Sequence, residues 1–310
     1  MRVWDGIESV DPPLVATSVA IGTFDGVHLG HQALIGTAVA DARANGRAAV
    51  VFTFDRHPAE TITPGHTPGY LTTPARRAAL IGELGADDLV VARFDEALRQ
   101  MTAEDFVRQV LSGRLGARAV VAGQGFRFGR DQRGDDALLQ SLGQRLGFEV
   151  RSVAPVLVDG ERVSSTRVRQ LVQEGSVERA ARVLGRPYAI AGVVERGQRL
   201  GRRLGYPTAN VRTTYPLVVP GDGVYATWAL LGEARRPGAC SVGLRPTVDG
   251  RSRVIEVFIL DYSGDLYGRT VELQFVSRLR EQRRFESLEA LTEQMRLDVE
   301  QVARTLRGVQ

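Results

Sequence analysis

Residues 15 to 184 alternate short apolar runs with helical patterns, whereas from residue 188 onward strand follows strand across turns. This change of texture limits the fold more than any other feature. Residues 15–21 and 48–54 read as buried strands with a helix over 31–45 between them. Strands over 89–94, 119–122 and 148–156 continue the series. Helices over 74–84, 103–115 and 136–146 intervene, several ending in Gly as helix stops do. Such alternation predicts a parallel sheet covered on both faces, and such sheets bind ligands at the carboxyl ends of their strands. Helices over 165–173 and 177–184 follow, and Gly185-Arg186-Pro187 breaks the pattern. Beyond it, 188–195, 224–231, 253–260 and 271–277 carry the β-rich, partly alternating composition of barrel strands. Residues 287–306 close the chain as an amphipathic helix, with Leu288, Leu291, Met295, Val299 and Val302 on one side. The expectation is an α/β chain of two domains: 1–186 around a parallel sheet, and 187–310 as an antiparallel β-barrel with a closing helix. A length of 310 residues suits that division.

Composition excludes several classes. The chain is 43% hydrophobic and 25% charged, as folded globular proteins are. No apolar run approaches the roughly 20 residues that span a bilayer, and the N-terminal residues show no apolar signal core. A cytoplasmic protein without a membrane partner is expected. The single cysteine, Cys240, cannot form an internal disulfide, which fits a reducing compartment. It reads as a buried small residue, since no histidine lies near it in sequence. All forty basic residues are Arg. Without Lys, a Walker-type phosphate loop is excluded. The net charge of +4 is dispersed among acids, so nucleic acid is not an expected partner. The residues leave the oligomeric state open, a homo-oligomer included.

The first chemical motif is GTFDGVHLGH, residues 22–31, directly after the first strand. Gly22, Gly26 and Gly30 let backbone amides approach an anion without Cβ obstruction. A helix opening at about His31 points its positive end at the same spot. His28 and His31, half of the chain's four histidines, stand where imidazoles can donate to phosphoryl oxygens. Nucleotidyl transfer asks for little more than positioning and positive electrostatics. The alternative is a Gly-rich turn with two incidental histidines. A second motif, VSSTRVR over 163–169, sets Ser164, Ser165 and Thr166 ahead of Arg167 at a helix start. It reads either as a capped basic helix or as a triphosphate site, with Arg167 closing over a leaving group.

In the second half, GQRLGRRLGYPTAN over 197–210 spaces Gly197, Gly201 and Gly205 four residues apart, beside Arg199, Arg202 and Arg203. A flexible basic loop over phosphates is one reading. Thr208 and Asn210 present neutral oxygens that point the same way in a strand and suit Mg²⁺; a tight turn is the other reading. No histidine lies beyond residue 66, so a general base here has to be a carboxylate. Glu256 sits within VIEVFILD, either as that base or as an exposed barrel-edge residue.

Together these motifs resemble the bacterial bifunctional riboflavin kinase/FMN adenylyltransferase family, the prokaryotic FAD synthetases, over nearly the whole length. GTFDGVHLGH, TFDRHP (53–58), GQGFRFG (123–129) and VSSTRVR are similar to the motifs of its Rossmann-like nucleotidyltransferase domain, and GRRLGYPTAN to its flavokinase signature. The resemblance implies riboflavin phosphorylation to FMN by Mg·ATP, then AMP transfer from a second ATP to FMN, giving FAD and pyrophosphate. It implies Asp25, His28 and His31 at the ATP phosphates, and Ser164, Thr166 and Arg167 completing the triphosphate site. It further implies Phe54, Phe126 and Phe128 in the nucleotide and flavin pockets, with Arg280 and Phe285 on the flavin side of the barrel. A nucleotide-covering loop from Gly197 to Gly205, Mg²⁺ at Thr208 and Asn210, and Glu256 as base follow in the same way. GLRPT over 243–247 resembles a barrel turn of the family. Two departures stand out: Gly125 where the family usually has Asn or Asp, and Phe258 where many members have His. They motivate the alternative of a divergent flavin-binding or regulatory paralogue retaining one activity.

Overall fold

The apolar runs of the first half assemble into one six-stranded parallel sheet. Its strands are β1 (Arg2–Asp5), β2 (Thr17–Ile21), β3 (Ala48–Phe54), β4 (Asp88–Ala92), β5 (Ala117–Gly123) and β6 (Glu149–Val153), in the order β1-β4-β3-β2-β5-β6. The computed structural model describes residues 1–62, 68–197, 201, 204–247 and 250–308. All five residues of β2 are buried, as expected of a central strand covered on both faces. One face packs Val19, Val50, Val90 and Val120 against Phe106, Val107, Leu111 and Leu142. The other packs Ala20, Val51, Leu89 and Val121 against Ile35, Ala38 and Ile81. The chain runs outward from β2 through β3 on one side and has β5 on the other. The order therefore reverses beside β2, where open sheets leave a crevice at their carboxyl ends.

Several boundaries differ from the sequence reading for local reasons. The four-residue β1 carries no detectable period, yet Arg2 and Trp4 both donate to the Asp88 carboxylate at 2.7 and 2.8 Å and pin it beside β4. The expected helix over 103–115 is helical in place but wound as a π-helix from Phe106 to Arg114. Its spacing shows in the Leu115 N–H donating to the Val110 carbonyl at 2.9 Å. At the amino-terminal end of the sheet, Asp87 accepts from Arg43 of the first helix (Leu29–Ala44) at 2.7 and 2.9 Å, and from the Ala49 N–H at 2.8 Å.

The second half forms a closed antiparallel barrel. Its strands are β9 (Tyr188–Glu195), β10 (Thr208–Arg212), β11 (Gly223–Leu231), β12 (Ala234–Thr247), β13 (Gly250–Ile259) and β14 (Thr270–Arg280), in the order β10-β13-β12-β11-β14-β9; the short pair β7 (Leu157–Val158) and β8 (Glu161–Arg162) precedes it in the chain. Burial along β9 alternates strictly between buried and half-buried up to Glu195, the period-two signature of a barrel wall. The strand β12 was not anticipated, and β10 takes the strand alternative at Thr208 and Asn210 over the tight turn. Residues 243–247, expected as a turn, lie inside β12 and pair with β13.

The closing helix, Leu288–Arg307, is capped by the Ser287 hydroxyl accepting from the Ala290 N–H at 3.1 Å. It packs Val299, Val302 and Leu306 on the outer barrel face against Ala226, Trp228 and Phe258. Each fully buried aliphatic chain contributes about 1.5–3 kcal/mol. Leu288, expected on that apolar side, is 54% exposed because it stands in the first turn, ahead of the packed face.

By contacts the chain divides into two compact units, Met1–Pro68 with Thr73–Ser165, and Gly69–Thr72 with Thr166–Gln310. Among the described residues no helix is long and apolar enough to cross a membrane.

Candidate active sites

The carboxyl end of β2 feeds directly into GTFDGVHLGH, and neighbouring strand ends hold that loop. Gly22 N–H donates to the Phe52 carbonyl at 3.1 Å. Thr53 donates its hydroxyl to the Thr23 carbonyl at 2.9 Å. Arg77, only 6% exposed, reaches from the helix Pro74–Glu83 to the carbonyls of Thr23 and Phe54 at 3.1 and 2.7 Å. Phe24 and Val27 adopt φ of 50° and 40°, a left-handed conformation that a β-branched valine rarely takes. Such strain costs about 1–3 kcal/mol per residue. Burial of each side chain, at 0% and 1% exposure, offsets it by a similar amount.

The first helix begins at Leu29, two residues before the expected start, because His28 serves as its N-cap. His28 Nδ1 accepts from the His31 backbone N–H at 3.2 Å. Nδ1 being the acceptor, the ring proton of the neutral imidazole sits on Nε2. The two imidazoles stack with centroids 3.5 Å apart and planes 18° from parallel. Phe24 meets His31 edge-on at 5.2 Å. The outer two glycines of the motif have a packing reason. A Cβ at Gly22 would come within 3.1 Å of the Phe24 ring, and one at Gly30 within 3.2 Å of the His28 ring. Gly26, at φ 84°, supplies the turn itself. Asp25 is 2% exposed, and its carbonyl accepts from the Ser165 hydroxyl at 2.9 Å, which ties the start of the VSSTRVR helix to the loop. Ser164 is half-buried, Thr166 exposed and Arg167 half-buried in their own segment.

Beside the loop lies a cavity of about 440 Å³, within the size range of small-molecule sites. Gly22, Thr23, Phe54, Phe94, Phe126 and Phe128 are among its walls. Phe126 and Phe128 stack at 5.5 Å with planes 10° apart, and Phe54 meets Phe94 edge-on at 5.3 Å. The three phenylalanines singled out by resemblance thus share one hollow. Gly125 has φ 79°, open space where a Cβ would stand, and its N–H donates to Asp136 at 2.9 Å. Gly, Asn and Asp are the residues that tolerate this backbone region best. Gly125 therefore holds a conformation that Asn or Asp would also tolerate.

In the barrel, Asn210 of β10 pairs with Glu256 of β13, which pairs in turn with Ser241 of β12. Glu256 alternates with the buried Ile255 and Val257, so it stands on the outer barrel face, half-buried. There a cavity of about 270 Å³ lies between the barrel and the closing helix, with Gly201, Thr208, Asn210, Glu256, Arg280 and Phe285 among its lining residues. Gly197 passes so close over Asn210 that a Cβ there would collide with the Asn210 amide. A Cβ at Gly201 would strike the Tyr206 carbonyl. Gly205, at φ 84°, turns the chain into β10. Arg199, Arg202 and Arg203 lie outside the described residues. Phe258 meets Tyr206 edge-on at 5.3 Å in the same cavity. A second hollow of about 490 Å³ borders Thr208 and is lined by Pro207, Val257, Tyr262, Asp265 and Tyr267.

Thr208, Asn210 and Glu256 offer hard oxygens and no nitrogen or sulfur ligand. Among the described residues no group of three His, Cys, Asp or Glu gathers to hold a metal. The two neutral oxygens of Thr208 and Asn210 fit a cation that keeps its remaining positions for water and phosphate oxygens, as Mg²⁺ does. Cys240 is fully buried, which pushes its thiol well above the usual range, so it is no nucleophile. Sequence reading missed Arg77, Tyr206, Asp298 and Gln282, the last lining the barrel cavity and donating from Nε2 to the Ser241 hydroxyl at 2.7 Å. Asp298 was the detectable one: a carboxylate spaced with Leu291, Met295 and Val302 along an apolar helix face.

A family model described as FAD synthetase matches residues 12–167, and one described as riboflavin kinase matches residues 184–306. Similar proteins include a bifunctional riboflavin kinase/FMN adenylyltransferase of Pseudomonas fluorescens, 40% identical over 300 residues and 96% of each chain. That of Escherichia coli strain K12 is 37% identical over 100% of this chain and 99% of its own. That of Bacillus subtilis is 34% identical over 92% and 91%. A crystal structure described as a macrolide-efflux protein from Streptococcus pneumoniae superposes with a TM-score of 0.89 at 31% identity, covering 97% of this chain and 98% of that one.

Proposed function

The chain belongs to the bifunctional riboflavin kinase/FMN adenylyltransferase family, and on that premise we propose how its two halves divide the work. The enzyme phosphorylates riboflavin with ATP to give FMN and ADP, then transfers AMP from a second ATP to FMN, giving FAD and pyrophosphate. Matches to both family models disfavour a paralogue that retains one activity. In our reading residues 1–186 carry the adenylyl transfer and 187–310 the kinase step, in a cytoplasmic enzyme.

For adenylyl transfer, an FMN phosphate oxygen attacks the α-phosphorus of ATP, the bond to the β-phosphate bridging oxygen breaks, and pyrophosphate leaves. His28 and His31 donate to the phosphoryl oxygens as charge develops on them. The stacked imidazoles at a helix N-terminus support that role. Gly22, Asp25, Gly26 and Gly30 shape the ATP site. The hollow lined by Phe54, Phe126 and Phe128 takes the flat, largely apolar flavin. Ser164, Thr166 and Arg167 are assigned to the triphosphate on the VSSTRVR resemblance.

For the kinase step, Glu256 accepts the proton of the terminal ribityl hydroxyl as its oxygen attacks the γ-phosphorus and ADP departs. Thr208 and Asn210 would hold Mg²⁺, which would neutralise charge on the nucleotide phosphates. The hollow beyond Thr208 accepts the nucleotide, and Gly197, Gly201 and Gly205 are assigned to the nucleotide on the resemblance. Riboflavin lies between barrel and closing helix, against Arg280 and Phe285. The observation that supports this reading is that each compact unit has its own cavity, one lined by Gly22, Thr23 and Phe54 in the first and one by Thr208, Asn210 and Glu256 in the second. Purified protein incubated with riboflavin, Mg²⁺ and ATP, with the flavins separated chromatographically, should yield FMN and then FAD. FMN alone overturns the adenylyltransferase half, and neither product overturns both.

A further inference from the structure

Asp298 is a carboxylate on the apolar face of the closing helix, 5% exposed, one turn from the buried Val302. A charge there is expensive unless fully compensated. Arg280, at the end of β14, compensates it side-on: Nε donates to Oδ1 and Oδ2 at 2.9 and 3.2 Å, and Nη2 donates to Oδ2 at 2.7 Å. Gln294 adds a fourth contact, Nε2 to Oδ1 at 2.7 Å. The remaining nitrogen of Arg280, Nη1, donates to the Glu281 carbonyl at 3.0 Å. A guanidinium has five N–H bonds. Nε, Nη1 and Nη2 each commit one, three in all, which leaves two on a side chain lining the cavity that also holds Glu256. The Phe285 ring lies 5.8 Å from the Arg280 guanidinium carbon.

A buried ion pair adds little stability over an apolar pair of the same volume, whereas its bidentate geometry fixes orientation well. We propose that Asp298 is a positioning residue for riboflavin: it locks the Arg280 guanidinium so that its two uncommitted N–H bonds face the carbonyl oxygens of the isoalloxazine ring. This rests on the kinase reading of the barrel above. Gln294 completes the device by fixing the Asp298 carboxylate in turn.

The test measures riboflavin phosphorylation at varied riboflavin and varied MgATP in wild type, Asp298→Asn, Gln294→Met, Arg280→Lys and Arg280→Lys/Asp298→Asn. FMN adenylylation and thermal melting accompany each. A charge-assisted contact to substrate predicts a riboflavin KM raised about tenfold in Asp298→Asn, with kcat and the ATP KM within about twofold. Asp298→Glu should recover part of the loss. Gln294→Met, which leaves the ion pair in place, should raise the riboflavin KM about threefold and carries the test if Asp298→Asn melts too low to assay. The double variant should be no worse than the poorer single one, as residues acting in one unit are. An unchanged riboflavin KM in both Asp298→Asn and Gln294→Met overturns the proposal, as do equal rises in both KM values or additive effects in the double variant. Wild type that makes no FMN overturns the kinase reading instead, so the two failures are distinct.

Discussion

Replacing His28 tests the adenylyltransferase site most sharply, because the residue has two separable roles. Its Nδ1 caps the first helix by accepting from the His31 N–H, and its ring stacks on His31 at 3.5 Å. His28→Ala removes cap and ring together. His28→Asn keeps a good N-cap but supplies no imidazole. Loss of the cap costs about 1 kcal/mol, a melting shift of roughly 2–4 °C for a unit of this size. Loss of a preorganised donor at the phosphates costs about 10²–10³ in rate. Both variants should therefore make FAD from FMN about 10²–10³ more slowly, while only His28→Ala melts earlier. Both should phosphorylate riboflavin at the wild-type rate, an internal control for intact protein. Chromatographic quantitation of FAD with ATP and FMN in excess reads the first effect and scanning calorimetry the second. A His28→Asn variant that makes FAD at more than about half the wild-type rate would refute the reasoning: on the scale of a lost donor, His28 would then be a cap and nothing else.

Other perturbations follow from the same structure. Glu256→Gln should slow FMN formation by about 10²–10⁴ and leave FAD formation from supplied FMN intact, measured by the same chromatography. Gly125→Asn should retain FAD synthesis within about twofold, since Asn tolerates positive φ and no neighbour obstructs a Cβ. Gly125→Val should lose stability by about 1–3 kcal/mol in denaturant titration. The Asp87 carboxyl is held below its usual 3.8 by hydrogen bonds from Arg43, partly opposed by burial and aided by the Ala49 N–H. Its folded pKa lies below the unfolded one, so its contribution is present above about pH 4 and is lost as pH falls through the folded value. Asp87→Asn should flatten the acid side of the stability–pH curve of the first unit.

The sheet and the barrel were legible because their signals are local. Periodicity and turn residues placed β3 at both ends, and the glycine after 177–184 ended that helix where expected. At β10 the residues left strand and turn open, since Pro-Thr-Ala-Asn suits either, and β12 went unseen because it contains Pro237, Gly238 and Gly243. Barrel closure supplies the pairing that those segments do not specify by themselves. His28 went unrecognised as a cap because imidazole stands outside the usual capping residues. Arg77 and Asp298 were missed in function for a related reason. Helix spacing marks Asp298 as a carboxylate on an apolar face, but the partners of the two residues include Thr23, 54 residues from Arg77, and Arg280, 18 residues from Asp298, and no local pattern names partners so far away. The motif residues were readable by type, whereas the groups holding them in place were visible only once folded.

The central claim is two transfer reactions, each moving a different part of ATP. Parallel incubations of the protein and riboflavin with ATP labelled at the γ- or the α-phosphate separate them directly. The expected result is γ-label in both FMN and FAD, and α-label in FAD but never in FMN. Alpha-label missing from FAD, or γ-label missing from FMN, would contradict it.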